Sequence, residues 1–381
     1  MSLKLFLCGD VVNFKAKTDY LDTKLETLIK SCDISICNFE APIKHEDMQM
    51  IKKAGPHLYQ SKESVEYLKK AGFDLFSLAN NHIYDYGEVG LNTTLEEIKR
   101  CKLNYVGAGS SFDEAYSPVI LDKKGVKVGF MSVAEAQFGC LMEDEQRGGY
   151  AFIHQSKTED NIRELRNECD IVVLIAHAGV EDISLPIPEW RNAYKRFCDL
   201  GCDLVIAHHP HVPQGYEMYN GSTIFYSLGN FFFDTAGFEN TSNDSFSLSI
   251  NANSEGITDF EIIYHKMENG KVKKVSKDEV NFDLDHLNKS LEIEYEDQIS
   301  KLVLQLFNDV YLPYYESALH SYPLEKSFKN KVYYMLKNLL NNNVYTVENM
   351  LLLLHNIQID SHRYVVQRAL KIITGDDSRS N

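Results

Sequence analysis

Three histidines stand within four residues at His208-His209-Pro210-His211, directly after the apolar run Leu204-Val205-Ile206-Ala207. Neutral imidazole is the commonest metal ligand, and polar groups this concentrated need partners or an ion if they are buried. The same design, an apolar run ending in a group that can bind metal or move a proton, recurs along the chain. Leu3 to Cys8 ends in Gly9-Asp10, and Ile34-Ser35-Ile36-Cys37 ends in Asn38-Phe39-Glu40. Phe73 to Ala79 delivers Asn80-Asn81-His82 with Asp85 three residues on, and Ile171 to Ala176 ends at His177. Taken singly, each of these residues is as readily a cap or a core hydrogen-bonding group. A series of them at successive strand ends points to one shared centre.

Asp10, Glu40, Asn81, His177, His209 and His211 form a set of oxygen and imidazole donors without thiolate, which suits two borderline divalent ions such as Mn, Fe or Zn. Two ions can share a carboxylate, hold a phosphoryl-like group and lower the pKa of a bound water. Glu40 is the bridging candidate. His209 and His211, one residue apart in extended backbone, are expected to point the same way with Pro210 stiffening the turn, and His208 to face the other side. Neighbouring side chains at a strand end diverge, so Asn81 is expected on metal and His82 in the substrate pocket as general acid. Asp85 would orient that imidazole and raise its pKa.

The elements that must position these groups alternate. Strand-like runs at Leu3–Cys8, 33–37, 73–79, 105–107, 126–133, 171–176 and 204–207 are separated by helical patterns at Lys24–Cys32, Ser61–Ala71, Gly90–Arg100 and Pro186–Gly201. This is the pattern of a layered α/β fold with helices outside the sheet. Ala134 to Gly149 is glycine-punctuated and is expected to be a loop over the site, and Phe225 to Phe231 reads as a strand ending in a Gly-Asn turn. Alternating segments near Phe246–Ile250 and Phe260–Tyr264 close the α/β part. Between Gly270 and Gly375 no glycine occurs, and apolar residues at helical spacing mark segments near Ile299–Leu319, Phe328–Leu340, Val347–His355 and Ser361–Ile373. Leu351 to Leu354 is expected to be buried, and the tail from Asp376 disordered. The organisation is thus an α/β domain over residues 1–270 with an appended helical subdomain over 285–375.

A chain of 381 residues with 44% hydrophobic and 25% charged residues is an ordinary soluble composition able to bury a sizeable core. A formal net charge of −16 argues against nucleic acid or an anionic membrane surface as partner, since no basic patch offsets it. An acidic polymer could be held only through local cations or metal. The eight cysteines form no CxxC pair, as in reduced, buried thiols. With no signal peptide after Met1 and no apolar run of spanning length, a cytoplasmic location is expected.

Gly9-Asp10, Asn38-Phe39-Glu40, Leu78 to His82 with Asp85 and Gly87, His177-Ala178-Gly179-Val180-Glu181, His208 to His211 and Tyr226 to Phe231 together resemble the CapA family of capsule and poly-gamma-glutamate synthesis proteins. The resemblance covers residues 1 to about 265. It implies a calcineurin-like metallophosphoesterase fold, a four-layer α/β/β/α sandwich with a dinuclear metal site. It implies Asp10, Glu40, Asn81, His177, His209 and His211 as ligands and His82 as proton donor. Two positions depart from the general phosphoesterase pattern: Val12 stands where a histidine ligand is expected, and Glu40 where an aspartate bridges. The expected function is a metal-dependent hydrolase using metal-bound hydroxide on a phosphoester or on an amide of an acidic polymer. The alternative is a non-catalytic metal- or polymer-binding component of a capsule-polymer assembly. The expected partners are an anionic polymer or phosphoester substrate and, in the second reading, a capsule-synthesis protein docked on the helical subdomain.

Overall fold

A computed structural model describes residues 2–235, 244–320 and 346–376. The chain divides into two compact units, Met1–Ile51 with His57–Ile293 and Lys52–Pro56 with Glu294–Asn381.

The first unit is built on two large sheets. The eight-stranded sheet has the order Lys271–Lys274, Gly256–Glu268, Asp244–Asn253, Leu3–Val12, Ile34–Phe39, Leu75–Ser77, Asn104–Val106, with Asn230–Phe233 also pairing Leu3–Val12. The six-stranded sheet has the order Tyr216–Tyr219, Ser222–Phe225, Leu204–His208, Ile171–His177, Val126–Ala134, Val119–Lys123. Strand periodicity explains how they stack, because alternate side chains go to opposite faces. Leu3, Leu5, Leu7, Ile34 and Ile36 of one sheet share a buried core with Val128, Phe130, Val173, Ile175 and Ile206 of the other. The intervening Phe6, Cys8, Cys37, Phe39 and Phe76 pack outward against Leu25, Ile29, Leu68, Leu91 and Leu95 of helices Thr23–Ser31, Glu63–Ala71 and Gly87–Arg100. Helices Ser156–Glu168 and Pro188–Leu200 cover the second sheet, burying Ile162, Leu165, Trp190, Tyr194 and Phe197. The result is the expected four-layer α/β/β/α sandwich.

The pairing of the central strands is parallel, so their carboxyl ends line up. Asp10 pairs with Asn38 and Asn38 with Ser77 in the first sheet; Ala134 pairs with His177 and His177 with His208 in the second. Within the first sheet, Gly9 passes close to the residue that leads into Asn230–Phe233: an added Cβ would lie 1.8 Å from the Gly229 carbonyl oxygen. Only glycine fits there. Gly9→Ala should therefore lower stability by about 3 kcal/mol, at the top of the overpacking range, read as a fall in the denaturation midpoint; an unchanged midpoint would contradict the close approach.

Several segments differ from the expectation. Phe225 to Phe231 is not one strand: Ser222–Phe225 belongs to the second sheet, and Asn230–Phe233 to the first. Gly229 at φ 77° and the Gly229 amide bonded to Ser227 Oγ make the crossing. The loop from Ala134 to Gly149 contains the short strand Cys140–Leu141, part of a three-stranded sheet with Ala108–Gly109 and Gly149–Ala151. None of the eight cysteines is in a disulfide, and all but Cys32 are buried.

The second unit is helical where described: Tyr295–Leu306, a π-helical turn at Phe307–Tyr311, Leu312–His320, Val347–Gln358 and Asp360–Thr374. Ile299 and Val303, and Val365 and Ala369, are buried pairs one turn apart. Thr346 and Asn349 cap Val347–Gln358 reciprocally. The segment Phe328–Leu340 lies outside the described residues. Leu351 to Leu354 is less buried than expected, with Leu354 45% exposed, because four consecutive residues span more than one face of a helix. No helix among the described residues is long and apolar enough to cross a membrane.

Candidate metal centre

The carboxyl ends of the two sheets bring Asp10, Glu40, Asn81, His82, His177, His209 and His211 into one buried cluster, none more than 5% exposed. His177 Nε2 lies 3.0 Å from Asn81 Oδ1, 3.1 Å from His209 Nδ1 and 3.8 Å from Glu40 Oε1. His211 Nδ1 lies 3.4 Å from Asp10 Oδ2, and its Nε2 lies 3.9 Å from Glu40 Oε1. Donors bound to one ion at about 2.0–2.2 Å are separated by roughly 3–3.5 Å, so this is the spacing a coordination shell needs. Asp10, Glu40 and His177 form one group of ligand-type atoms, and Glu181, His209 and His211 another.

Glu40 tests whether the site fits a cation. It is fully buried, and neither of its carboxylate oxygens has a hydrogen-bond partner among the described residues. An ionised carboxylate in that state is costly unless a cation meets it. Burial pushes the Glu40 carboxyl well above its usual range, and the charge of Asp10 adds to this against the opposing effect of His211. Burial disfavours a charged His211, but Glu40 and Asp10 outweigh it and lift the imidazole to about 10. Burial and the neighbouring imidazoles hold His177 well below its usual value, leaving it neutral as a ligand must be.

The orienting groups are mostly amides and carboxylates. Asn38 Nδ2 donates to Asp10 Oδ1 at 2.7 Å and lies 3.1 Å from His177 Nδ1, tying a group of one sheet to one of the other. Asn230 Oδ1 accepts from His211 Nδ1 at 3.0 Å. Glu135 Oε1 lies 3.3 Å from His209 Nε2, the carboxylate–histidine arrangement that fixes a ligating imidazole. Asn38 and Asn230 sit in the motifs noted in the sequence without an assigned role. Glu135 was missed, although it directly follows the strand Val126–Ala134 and so carries the same strand-end signal as Asp10 and His177.

His82 and Asp85 form a separate pair beside the ligand-type groups. His82 Nδ1 is 2.7 Å from Asp85 Oδ2, and the same oxygen accepts the Leu58 amide at 2.8 Å. Asn80 Oδ1 accepts the His82 amide while its Nδ2 donates to the Phe39 carbonyl, locking the turn onto the strand that carries Glu40. The carboxylate of Asp85 is thereby fixed, and with it the ring.

Two expectations about the histidine cluster are corrected. His209 and His211 are not in extended backbone; their φ values are 96° and 60°. His208 does not face away, since its Nδ1 is 3.5 Å from Asp10 Oδ1. Alternation holds only within a strand, and the strand ends at His208. Beyond it the left-handed backbone turns the later imidazoles toward the same centre. Val12, where a ligand was expected from the broader pattern, packs with Ala41, Leu58 and Phe233 in a small apolar cluster.

Several known proteins are similar to this chain. The "Capsule biosynthesis protein CapA" of Bacillus anthracis is 33% identical over 276 residues, spanning 70% of this chain and 66% of that one. The "PGA biosynthesis protein CapA" of Bacillus subtilis is 33% identical over 211 residues, spanning 55% of this chain and 56% of that one. The chain thus covers just under two thirds and just over half of these relatives. Among solved structures, a putative 5'-nucleotidase from Staphylococcus aureus in complex with alpha-ketoglutarate aligns at TM-score 0.46 and 14% identity, covering 77% of this chain and 58% of that one. The family model described as bacterial capsule synthesis protein PGA_cap matches residues 4–235. With more than half of its length matched, strand-end motifs included, the chain belongs to the CapA-type family of bacterial capsule and polyglutamate synthesis proteins.

Proposed function

We propose that this protein is a hydrolase dependent on two divalent ions, acting on a phosphoester or on an amide of an acidic capsule polymer. The observation that carries the reading is Glu40, a fully buried carboxylate whose oxygens have no hydrogen-bond partner among the described residues and face His177 and His211. Asp10, Glu40 and His211 would hold one ion, and Glu40, Asn81, His177 and His209 the other, with Mn, Fe or Zn suited to such donors. When bound, the ions supply Lewis acidity toward a phosphoryl or carbonyl oxygen and lower the pKa of a water. The chain's own contribution is position and proton transfer. Asp85 holds the His82 ring so that its Nε2 can give a proton to the leaving group. Asn38, Asn230 and Glu135 keep the imidazoles and Asp10 in register. The α/β unit carries this chemistry in the proposal, and the helical unit is an appended subdomain available to other capsule-synthesis proteins.

A non-catalytic, metal- or polymer-binding role is the second reading, favoured by the apolar Val12 where a further ligand was expected. Two measurements test the proposal. Asp10→Asn and His209→Ala should each lower the metal content of protein purified without chelator while the circular dichroism stays that of the parent. Retention of a full complement by both would show the ligand assignment to be wrong. Turnover of an aryl phosphate or of poly-gamma-glutamate with added manganese, abolished by chelator, supports the hydrolase; metal-loaded protein inert toward both substrates supports the second reading.

A further inference from the structure

An ion held beside His211 would lack the donor that a histidine at position 12 would supply. Val12 lies in the apolar cluster with Ala41, Leu58 and Phe233, and the ring of Phe233 stands 5.1 Å from that of His211. The side chains of that cluster offer no donor. Toward solvent stands Glu181, whose Oε1 is 3.9 Å from His209 Nε2 and whose carboxylate oxygen falls, with a ring nitrogen each of His209 and His211, in a set of atoms within 4.8 Å of one another.

The loop that carries Glu181 is fastened to the histidine segment by its backbone. The Ala178 amide donates to the His208 carbonyl at 3.1 Å, and the Asp182 amide donates to the Pro210 carbonyl at 2.9 Å. Gly179, at φ 156°, lies so close to Pro210 that an added Cβ would sit 2.7 Å from its ring. Further out, Tyr194 Oη donates to the Ala178 carbonyl and Gln214 Nε2 to the Ile183 carbonyl. Glu181 is therefore set against His209 and His211 by main-chain contacts on both sides of it. Such preorganisation is what a ligand needs and a solvated surface carboxylate does not.

We propose that Glu181 is itself a metal ligand, supplying from the mouth of the site the donor that Val12 does not. The inference rests on the metal-centre reading above. It makes the centre richer in carboxylate, which favours a hard ion such as Mn²⁺ over Zn²⁺. It also places at the entrance the one ligand exposed enough to be displaced, since the side chain of Glu181 is 53% exposed while those of His209 and His211 are at most 3% exposed. An incoming anionic substrate would exchange with it.

Calorimetric titration of Mn²⁺ into the chelator-stripped full-length chain tests this on the parent, Glu181→Gln and Glu181→Asp. The parent should take two ions. Glu181→Gln should keep one at parental affinity and bind the other at least about tenfold more weakly, Glu181→Asp should recover part of the loss, and all three should melt alike without metal. Equal binding of both ions by parent and Glu181→Gln overturns the proposal. Equal weakening of both ions also overturns it, because Glu181 would then act by orienting His209. A parent that binds no Mn²⁺ sinks the metal-centre reading itself, so the two failures are told apart.

Discussion

His82→Asn should lose at least about a hundredfold in turnover, the lower end of what general acid catalysis contributes, while retaining its ions. The argument is geometric. His82 Nδ1 is engaged by Asp85 at 2.7 Å, whereas the contacts among the ligand-type groups run through His177, His209, His211, Asn81, Asp10 and Glu40. Removing the imidazole takes away a proton donor without taking a donor from the ions. Asparagine keeps a hydrogen bond toward Asp85 and so spares the turn, whose Leu58 amide depends on the same carboxylate. Metal content by elemental analysis and kcat should therefore part company. Loss of metal in proportion to activity would make His82 a ligand, and parental turnover would deny it any role in proton transfer.

Glu40→Gln should have two effects of opposite sign. In the metal-free protein it removes a buried carboxylate whose oxygens lack partners, so the melting temperature should rise by a few degrees. A carboxyl raised by burial must take up a proton on folding at neutral pH, a cost that glutamine, neutral in both states, does not carry. In the presence of Mn²⁺ the order should reverse. A ligand at a hundred times its Kd stabilises by about 2.7 kcal/mol, and the parent should gain at least that, whereas the glutamine variant should gain almost nothing. Melting curves with and without metal on both proteins make the comparison. If Glu40→Gln keeps the parental metal-induced shift, Glu40 does not hold the ions together.

The strand ends were legible because their apolar runs are buried on both faces and are followed at once by polar groups, as in Ile171–His177. Both flanking layers therefore show in the sequence, and so does the ligand-type set. Elements that carry little apolar signal were not legible. The helix Ser156–Glu168 buries only Ile162 and Leu165 among its large apolar residues, and the edge strand Val119–Lys123 ends in two charged residues and is largely open. Within the site, the left-handed backbone of His209 and His211 is set by packing against the Gly179 loop, thirty residues earlier in sequence, and a local pattern cannot encode it. The crossing at Tyr226–Gly229 escaped for a related reason: an apolar run does not say which of two sheets each half will join.

That crossing has a kinetic consequence. Asp10, Glu40 and Asn81 stand on one sheet, and His177, His209 and His211 on the other, with Asn38 bridging them. Ions seated there would rivet together two halves of the sandwich that the chain itself already joins at the crossing Tyr226–Gly229. Unfolding of the metal-loaded protein would then have to break bonds reaching from both sheets, so its unfolding rate should fall as the site fills, while the metal-free sandwich opens faster at this end.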